Sequence, residues 1–281
     1  SGLPLGDTLR DDALGEFIGQ PSASFSELAF TFHDYLRENE RLLEVEIEMS
    51  REEFCSRLTL ERILREEIWR SGAGGSPTLD RFADMNAGAL DSLGPSVRKL
   101  QEIMSMIPGL VIVTVNFDTL IESNGVNVQR MVSDEDFRVG EDYLAKYVTG
   151  QQGPVPLLKL HGSIEERETI VATVDQTAQG LSTPKQKCMH AILDEGKKLP
   201  WVYVGYSMRD PDAWSVLQAR DFAENVDECW VGPFADPHAL AWCSRHRQFS
   251  SENPSFWQRS ITLTADKFME ELLAVWPSED H

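Results

Sequence analysis

The sequence contains few cysteines and no closely spaced pair of them. The four cysteines are Cys55, Cys188, Cys229 and Cys243, and no two lie closer than 14 residues apart. This spacing provides neither a disulfide framework nor the C-x-x-C pairs of common zinc sites. We therefore expect a reducing, cytoplasmic setting.

Basic residues are scarce relative to acidic ones. There are 26 lysines and arginines against 46 aspartates and glutamates, which gives a formal net charge of −20. Such a surface repels a phosphate backbone unless its bases gather on one face. Direct nucleic-acid binding is therefore not expected.

Long apolar runs are missing as well. The most apolar stretch, around Gly109 to Phe117, is far shorter than the roughly 18 to 20 residues of a membrane-spanning helix. The first residues, SGLPLGDTLRDD, lack the basic start and apolar core of a secretory signal. We therefore expect no membrane partner and no export signal in these residues.

Hydrophobic residues make up 41% of the 281 positions, which is enough to bury a globular core. From about Ser24 to Met106 the apolar residues recur three or four positions apart, which predicts helices. One predicted helix runs from Phe25 through the segment ending in EVEIEM, and a second follows Ser50, which has the capping-box spacing to Glu53. The acids and bases of the second helix also lie three or four apart, a pattern typical of a solvated face.

After Pro108 the pattern changes to short β-branched runs. The predicted strands are Gly109 to Asn116, Val155 to Gly162, Trp201 to Ser207, Glu228 to Phe234 and the SITLT segment. Helical stretches between some of them, such as Pro184 to Lys198 and Asp212 to Asn225, indicate an α/β protein. We predict a Rossmann-like parallel sheet with helices on both faces and an inserted helical subdomain, with a ligand crevice at the carboxyl ends of the strands.

Polar and small residues follow three of these strands at their carboxyl ends. They are Thr114, Asn116 and Asp118 after the first, His161, Gly162 and Ser163 after the second, and Gly205, Ser207 and Asp210 after the third. Each has an ordinary structural interpretation, because Asn and Asp cap helices, a lone histidine often bonds within a core, and glycine serves turns. Their joint placement at one crevice favours a binding or catalytic site.

At these residues the sequence resembles the sirtuin family, and in particular its bacterial branch of NAD-consuming defence domains. The matching elements are T-x-N-x-D at Thr114, Asn116 and Asp118, the histidine-glycine element at Leu160 to Ser163, and the G-Y-S-x-x-D form at Gly205 to Asp210, continued by Pro211 and Asp212. At the start of the chain, Gly2 and Pro4 look like the end of the family's first loop. The resemblance covers most of the chain in the family's order.

The sequence departs from the family in two places. The glycine-rich turn that would hold a pyrophosphate at a helix N-terminus has no counterpart ahead of Ser1, so we expect the first strand to be absent from this chain. The letters of Gly72 to Ser76 fit that turn, but they follow a charged helical stretch, which favours a helix connection. Glu165 to Glu168 replace the zinc module of protein-deacylating sirtuins, so we expect no zinc.

The resemblance implies roles in cleaving the nicotinamide–ribose bond of NAD. His161 is the candidate catalytic base, because an imidazole titrates near neutral pH. Asn116 is the second candidate catalytic residue, since its amide can hold a water or a ribose hydroxyl without adding charge. Asp118 is expected to accept a hydrogen bond from the nicotinamide carboxamide. The other expected NAD-binding residues are Thr114, Gly205, Ser207, Asp210, Gly2 and Pro4.

The first functional hypothesis is therefore an NAD glycohydrolase that acts as a regulated effector of bacterial antiphage defence. Two alternatives stay open: a domain that senses NAD or ADP-ribose without turnover, and a zinc-free protein deacylase. We expect residues 1–23 and 107–281 to form the catalytic domain and residues 24–106 to form a lid or an assembly region. Because unrestrained loss of NAD would kill the host, we also expect a homo-oligomer or a regulatory partner.

Overall fold

The computed structural model describes residues 6–71, 75–193, 200–206, 211–218, 228–232 and 260–275. The chain divides into two compact units. The helical unit comprises Gly2–Gly88 and Val171–Gln176, and the sheet unit comprises Ala89–Ile170 and Thr177–His281 together with Ser1. The boundaries of the catalytic domain and of the lid or assembly region given above stay predictions.

The described part of the helical unit is built from helices. They are α1 (Gly6–Ile18), α2 (Phe25–Glu38), α3 (Glu44–Ile47), α4 (Arg51–Arg57), α5 (Leu60–Ser71) and α6 (Pro77–Leu90), of which α6 continues past the unit boundary. Leu28, Phe32 and Leu36 form the buried stripe of α2 and pack into the core of this unit. Helices α1 and α5 also contribute to this core.

The two predicted helices of this region are each divided. Ser24 caps the start of α2 in a capping box with Glu27. The helix ends at Glu38, and two residues later Glu40 takes a left-handed φ of 57°. A residue in this backbone region cannot continue a right-handed helix. The predicted cap at Ser50 is confirmed, because its Oγ accepts the Glu53 N–H at 3.1 Å, but α4 ends at Arg57 and α5 starts a new helix.

The expectation of a solvated charged face on the second of these helices is wrong for its central residues. Arg62, Glu66 and Glu67 of α5 are buried. The Arg62 guanidinium donates to Glu46 at 2.7 Å and to Glu66 at 2.6 Å, so Arg62 and Glu66 are paired. Glu67 instead accepts hydrogen bonds from the hydroxyls of Ser76 and Thr78. Spacing of three or four residues brings opposite charges together on a helix face whether that face is exposed to solvent or buried. The sequence pattern therefore could not distinguish an exposed charged face from a buried one.

The sheet unit alternates strands with helices. Its described elements are α7 (Pro95–Met106), β1 (Ile112–Thr114), β2 (Val128–Met131), α8 (Asp134–Tyr147), β3 (Val155–Lys159), a 3-10 turn (Arg167–Thr169), α9 (Val174–Thr177, which crosses the unit boundary), α10 (Thr183–Leu193), β4 (Trp201–Val204), α11 (Pro211–Gln218), β5 (Glu228–Val231), β6 (Ser260–Ile261) and α12 (Ala265–Val275). Each predicted strand is present, in a shorter form.

The described strands form two three-stranded sheets in which every ladder is parallel. The first has the order β1-β3-β2 and the second the order β4-β5-β6. Strand β3 lies in the middle of the first sheet and is buried along its whole length, as expected for a parallel strand covered on both faces. The fold is therefore α/β with a parallel sheet flanked by helices, which is consistent with a Rossmann-like fold.

One hydrophobic core lies across both sheets. Leu158 of β3, Tyr203 of β4 and Trp230 of β5 belong to the same buried cluster, together with Phe137 of α8 and Cys188 of α10. The rings of Tyr203 and Trp230 stack with their centroids 4.1 Å apart. Among the described residues no helix is long and apolar enough to span a bilayer.

Candidate functional site

The loop that follows β1 carries the first set of predicted site residues. The Thr114 Oγ1 accepts the Asn116 N–H at 3.1 Å, and Asp118 Oδ1 accepts the Leu120 N–H at 3.1 Å. These local bonds leave Asn116 exposed and place the Asp118 carboxyl partly inside the protein. Burial raises the pKa of Asp118, and the Leu120 N–H and the positive charge of Lys159 oppose that rise.

Lys159, the last residue of β3, joins this loop to the turn after β3. Its side chain is 0% exposed, and its ammonium donates to Glu122 Oε1 at 2.8 Å and to Ser163 Oγ at 3.2 Å. The same ammonium also donates to the carbonyl oxygens of Phe117 and Asp118. A buried ammonium needs such a set of acceptors. Lys159 thus connects the two loops that hold the predicted T-x-N-x-D and histidine-glycine residues.

His161 forms a buried pair with a carboxylate from a distant part of the chain. Its ring is 4% exposed, and Nε2 lies 3.0 Å from Asp212 Oδ2 and 3.1 Å from Asp212 Oδ1. Asp212 is 1% exposed and also accepts the Ala213 N–H at 2.9 Å, at the start of α11. An ionised carboxylate only accepts hydrogen bonds, so a neutral imidazole in this pair carries its hydrogen on Nε2 and its lone pair on Nδ1.

The turn around Gly162 permits no side chain at that position. Gly162 has a φ of +87°, and a Cβ there would overlap the carbonyl oxygen of Thr169 in the 3-10 turn. The Thr169 Oγ1 in turn accepts the Ser163 N–H at 3.1 Å. A glycine is required here by both backbone conformation and space, and the tight turn fixes the backbone on the carboxyl side of His161.

The predicted residues after β4 are described only in part. Gly205 has a φ of +64°, and its N–H donates to the Val231 carbonyl of β5 at 3.0 Å. Ser207, Asp210, Gly2 and Pro4 lie outside the described residues. Their assignment as NAD-binding residues stays a prediction.

The contact between His161 and Asp212 shows how the two sheets are aligned. His161 follows the carboxyl end of β3, and Asp212 lies at the start of α11, which comes next along the chain after β4. The carboxyl ends of β3 and β4 therefore point to the same edge of the fold. Because β1 runs parallel to β3, its carboxyl end lies at this edge too, where ligands bind in open α/β sheets.

A cavity of about 540 Å³ lies between β1 and β4. Thr114 and Asn116 line it from the first sheet, and Gly205 and Tyr206 line it from the second. Most other lining residues are apolar: Val111, Val113, Val115, Leu160, Met189, Ile192, Trp201, Val202, Val204 and Leu217 are among them. The structure thus brings Thr114, Asn116 and Gly205 to one cavity. His161 and Asp118 are not among its lining residues, although Leu160, next to His161, is.

Glu165 and Glu166, at the position where the resemblance predicts that a zinc module is missing, form ion pairs. Arg130 of β2 donates to Glu165 at 3.0 Å and also to Glu166. Within the described parts of the chain, no group of three or more histidine, cysteine or acidic side chains could hold a metal ion. The expectation that the protein uses no zinc stays a prediction.

Three charged residues of this site were missed by sequence reasoning. Asp212 lies in the extension of the G-Y-S-x-x-D element, but no role was predicted for it. Lys159 directly precedes the histidine-glycine element, and no role was predicted for it either. Lys185 of α10 was overlooked, although its ammonium donates to the Leu160 carbonyl at 2.8 Å. Position next to a motif was the only available signal for Lys159 and Asp212, and Lys185 had no such signal because only the tertiary fold brings α10 to this turn.

A comparison with known families gives a match over part of the chain. Residues 110–228 match the family model described as SIR2-like domain. The match starts just before β1, ends at the first residue of β5, and contains Thr114, Asn116, Asp118, His161 and Gly205. No curated protein matches the chain significantly. The family match supports the sirtuin-like resemblance, and SIR2-like domains are typically NAD-dependent enzymes.

Proposed function

We propose that this protein hydrolyses NAD to nicotinamide and ADP-ribose. The observation that carries the proposal is the cavity of about 540 Å³ between β1 and β4, whose lining includes Thr114, Asn116 and Gly205 at the carboxyl ends of these strands. Its volume lies in the range of roughly 300 to 1,000 Å³ that is usual for small-molecule and cofactor sites. The match to the SIR2-like domain supports NAD as the molecule that binds there.

The side chains suit the steps that the reaction needs. Nicotinamide leaves as a neutral molecule, so the site must mainly orient the ribose and accept a proton from water or from a ribose hydroxyl. His161 is the proposed base, and Asp212 holds its ring at 3.0 Å. Asn116 is exposed at the cavity and can both donate and accept. Asp118 is the proposed acceptor for the nicotinamide carboxamide.

The proposal is tested by incubating the full chain with NAD and separating the products by chromatography. We expect release of nicotinamide and ADP-ribose, and a loss of at least about 100-fold in the His161→Ala variant, because a general base contributes on the order of 100- to 10,000-fold. His190→Ala is the matched control, since it removes the same side chain from α10. Thermal melts of both variants would show that the fold is intact.

Other outcomes of this experiment would contradict the proposal. Tight calorimetric binding of intact NAD, without any loss of NAD over hours, would identify a sensor domain instead. Nicotinamide release that requires an acyl-lysine peptide would identify a deacylase. Equal activity of wild type and His161→Ala would exclude His161 as the base.

We further propose that the enzyme is a restrained effector of bacterial antiphage defence. An NAD hydrolase that is always active would kill its host, so we expect a homo-oligomer or a regulatory partner protein to control it. Light scattering gives the oligomeric state of the purified full chain, and an assay of NAD hydrolysis on the same sample shows whether that state is active. Together the two measurements test this expectation. A monomer that hydrolyses NAD at full rate without any partner would contradict it.

A further inference from the structure

One glutamine side chain connects helix α7 to the loop that follows β1. The side-chain amide of Gln101 in α7 donates to three carbonyl oxygens of this loop: Leu120 at 3.1 Å, Ile121 at 3.0 Å and Ser123 at 3.2 Å. It also donates to Ser123 Oγ at 3.4 Å. An amide nitrogen carries only two hydrogens, so these acceptors share them. Three carbonyl oxygens of one loop thus converge on a single side chain from outside the loop.

The loop that Gln101 holds is packed into the protein. Thr119 and Leu120 are buried, and the backbone groups of a buried loop need partners because water does not reach them easily. Two of the three carbonyls also have a donor within the loop. The Ser123 hydroxyl donates to the Leu120 carbonyl at 2.7 Å, and the Val126 N–H donates to the Ser123 carbonyl at 3.4 Å. The main contribution of Gln101 is therefore the link between this loop and helix α7.

Leu120 extends this link to the predicted site residue Asp118. The carbonyl of Leu120 accepts the Gln101 amide, and its N–H donates to Asp118 Oδ1 at 3.1 Å. A carboxylate accepts with both of its oxygens, so holding Oδ1 also sets the direction of Oδ2. Lys159 holds the backbone of the same residue, because its ammonium donates to the Asp118 carbonyl. Two side chains from outside the loop therefore determine where the Asp118 carboxyl lies.

We propose that Gln101 is a positioning residue, which holds the loop after β1 so that the Asp118 carboxyl meets the nicotinamide carboxamide of NAD. This inference rests on the proposed function, in which Asp118 accepts a hydrogen bond from that carboxamide. Such a contact is strongest when the loop is ordered before the substrate arrives, since ordering it on binding costs free energy. Gln101 touches neither NAD nor the reacting atoms, and it lies outside the matched residues 110–228.

The first test is hydrogen exchange in the Gln101→Met variant of the full chain, measured without NAD. Methionine has a similar length and volume but donates no hydrogen bond. We expect the amides of residues 118–124 to exchange about 10-fold faster than in the wild type, because the loop opens more easily without its link to α7. Gln129→Met is the matched control, since it removes an exposed glutamine side chain from β2.

A second variant, Gln101→Glu, separates hydrogen bonding from packing. The carboxylate has nearly the same shape as the amide, but it brings only acceptors to the loop carbonyls. Exchange of residues 118–124 should therefore be faster than in Gln101→Met. If the Gln101→Glu protein does not fold, Gln101→Met alone decides. A side chain that only fills space would give wild-type exchange in both folded variants, which would contradict the proposal.

The second test asks whether the position of the loop affects the substrate. It compares kcat/KM for NAD with kcat/KM for nicotinic acid adenine dinucleotide, in which a carboxylate replaces the carboxamide. Asp118 should favour the carboxamide, which donates a hydrogen bond, and repel the carboxylate. Gln101→Met should reduce the preference for NAD by about 10-fold, whereas Gln129→Met should leave it unchanged. A general loss of stability would lower both activities alike and leave their ratio unchanged.

Faster exchange confined to residues 118–124, together with a reduced preference for NAD, supports the proposal. Unchanged loop exchange in a folded Gln101→Met protein overturns it, and so does a faster loop with an unchanged preference. If the wild type releases no nicotinamide, the proposed hydrolysis fails instead. The exchange experiment needs no turnover, and calorimetric binding of the two dinucleotides then replaces the kinetic comparison and decides the role of Gln101.

Discussion

Replacing Lys159 with methionine should destabilise the sheet unit far more than replacing an exposed lysine. The ammonium of Lys159 is buried and bonded to the Glu122 carboxylate at 2.8 Å, to Ser163 and to the carbonyl oxygens of Phe117 and Asp118. Methionine fills a similar space but donates nothing. The variant therefore leaves the Glu122 carboxylate and the Asp118 carbonyl oxygen without this donor, whereas the Phe117 carbonyl still accepts the Ile164 N–H at 2.9 Å.

The size of the effect follows from the burial of both partners. The side chain of Lys159 is 0% exposed and that of Glu122 is 9% exposed, so water cannot replace the lost cation easily. Removing one partner of a buried ion pair costs about 3 to 5 kcal/mol. For a chain of this size, such a loss lowers the melting temperature by roughly 6 to 20 °C.

The measurement is unfolding in denaturant, with hydrogen exchange in peptides of the sheet unit as the probe. A probe confined to this unit is needed because a chain with two units need not unfold in one step. Glu122→Gln and the Lys159→Met/Glu122→Gln double variant complete a cycle. We expect the double variant to cost less than the sum of the single variants by about 1 to 3 kcal/mol. The matched control is the pair of Lys187 and Glu141, which is exposed and 3.9 Å apart and should couple by less than about 1 kcal/mol.

A Lys159→Met variant that loses less than about 1 kcal/mol would refute this reasoning, because burial and pairing would then not determine its stability. The same holds if Lys159 and Glu122 couple no more strongly than the exposed pair. In either case the bond from the ammonium to the Asp118 carbonyl would also not be what holds the loop after β1 in place.

Three further predictions concern single positions. Gly162→Ala should unfold the turn or cost more than about 2 kcal/mol in a thermal melt, since a Cβ overlaps the Thr169 carbonyl at a φ of +87°, and a stable variant would contradict that geometry. Because burial raises the pKa of Asp118 in the folded protein, ionisation of this carboxyl destabilises the fold as the pH rises through that pKa. Asp118→Asn should therefore raise the melting temperature at neutral pH while weakening NAD hydrolysis, and a lower melting temperature would argue against the shift. Burial raises the pKa of Cys188 to about 11, so mass spectrometry should find Cys188 unlabelled by iodoacetamide at pH 8 until the protein is unfolded.

The strands of the sheet unit could be predicted because burial on both faces leaves a simple sequence pattern. The run at Val155–Lys159 is apolar except for its last residue and is buried throughout. Strand β2 (Val128–Met131) lacks this pattern, since two polar residues, Gln129 and Arg130, form its middle at the edge of its sheet, and it was not predicted. Helix α8 was also not predicted, although Ser133 and Asp136 have the spacing of a capping box and form one in the structure.

The candidate site was predictable only where the topology itself brings residues together. Parallel strands place their carboxyl ends at one edge, so Thr114, Asn116 and Gly205 could be assigned to a common crevice before any coordinates were known. The partner of His161 could not be found in this way. Asp212 lies 51 positions further along the chain, and the loop and helix that bring it back depend on packing rather than on local pattern.

The positions of Lys159 and Lys185 also change what the net charge of −20 implies for an anionic dinucleotide. Both ammonium groups lie next to the predicted site residues, but each is buried and bonded to protein acceptors. They stabilise the loops and balance carboxylates, and they are therefore not available to neutralise a pyrophosphate. If NAD binds in the cavity between β1 and β4, its phosphates must be held mainly by backbone N–H groups or by residues outside the described part of the chain. Neutralising an exposed lysine such as Lys187 should then leave NAD affinity unchanged, whereas changes that distort the turns at Gly162 or Gly205 should weaken it.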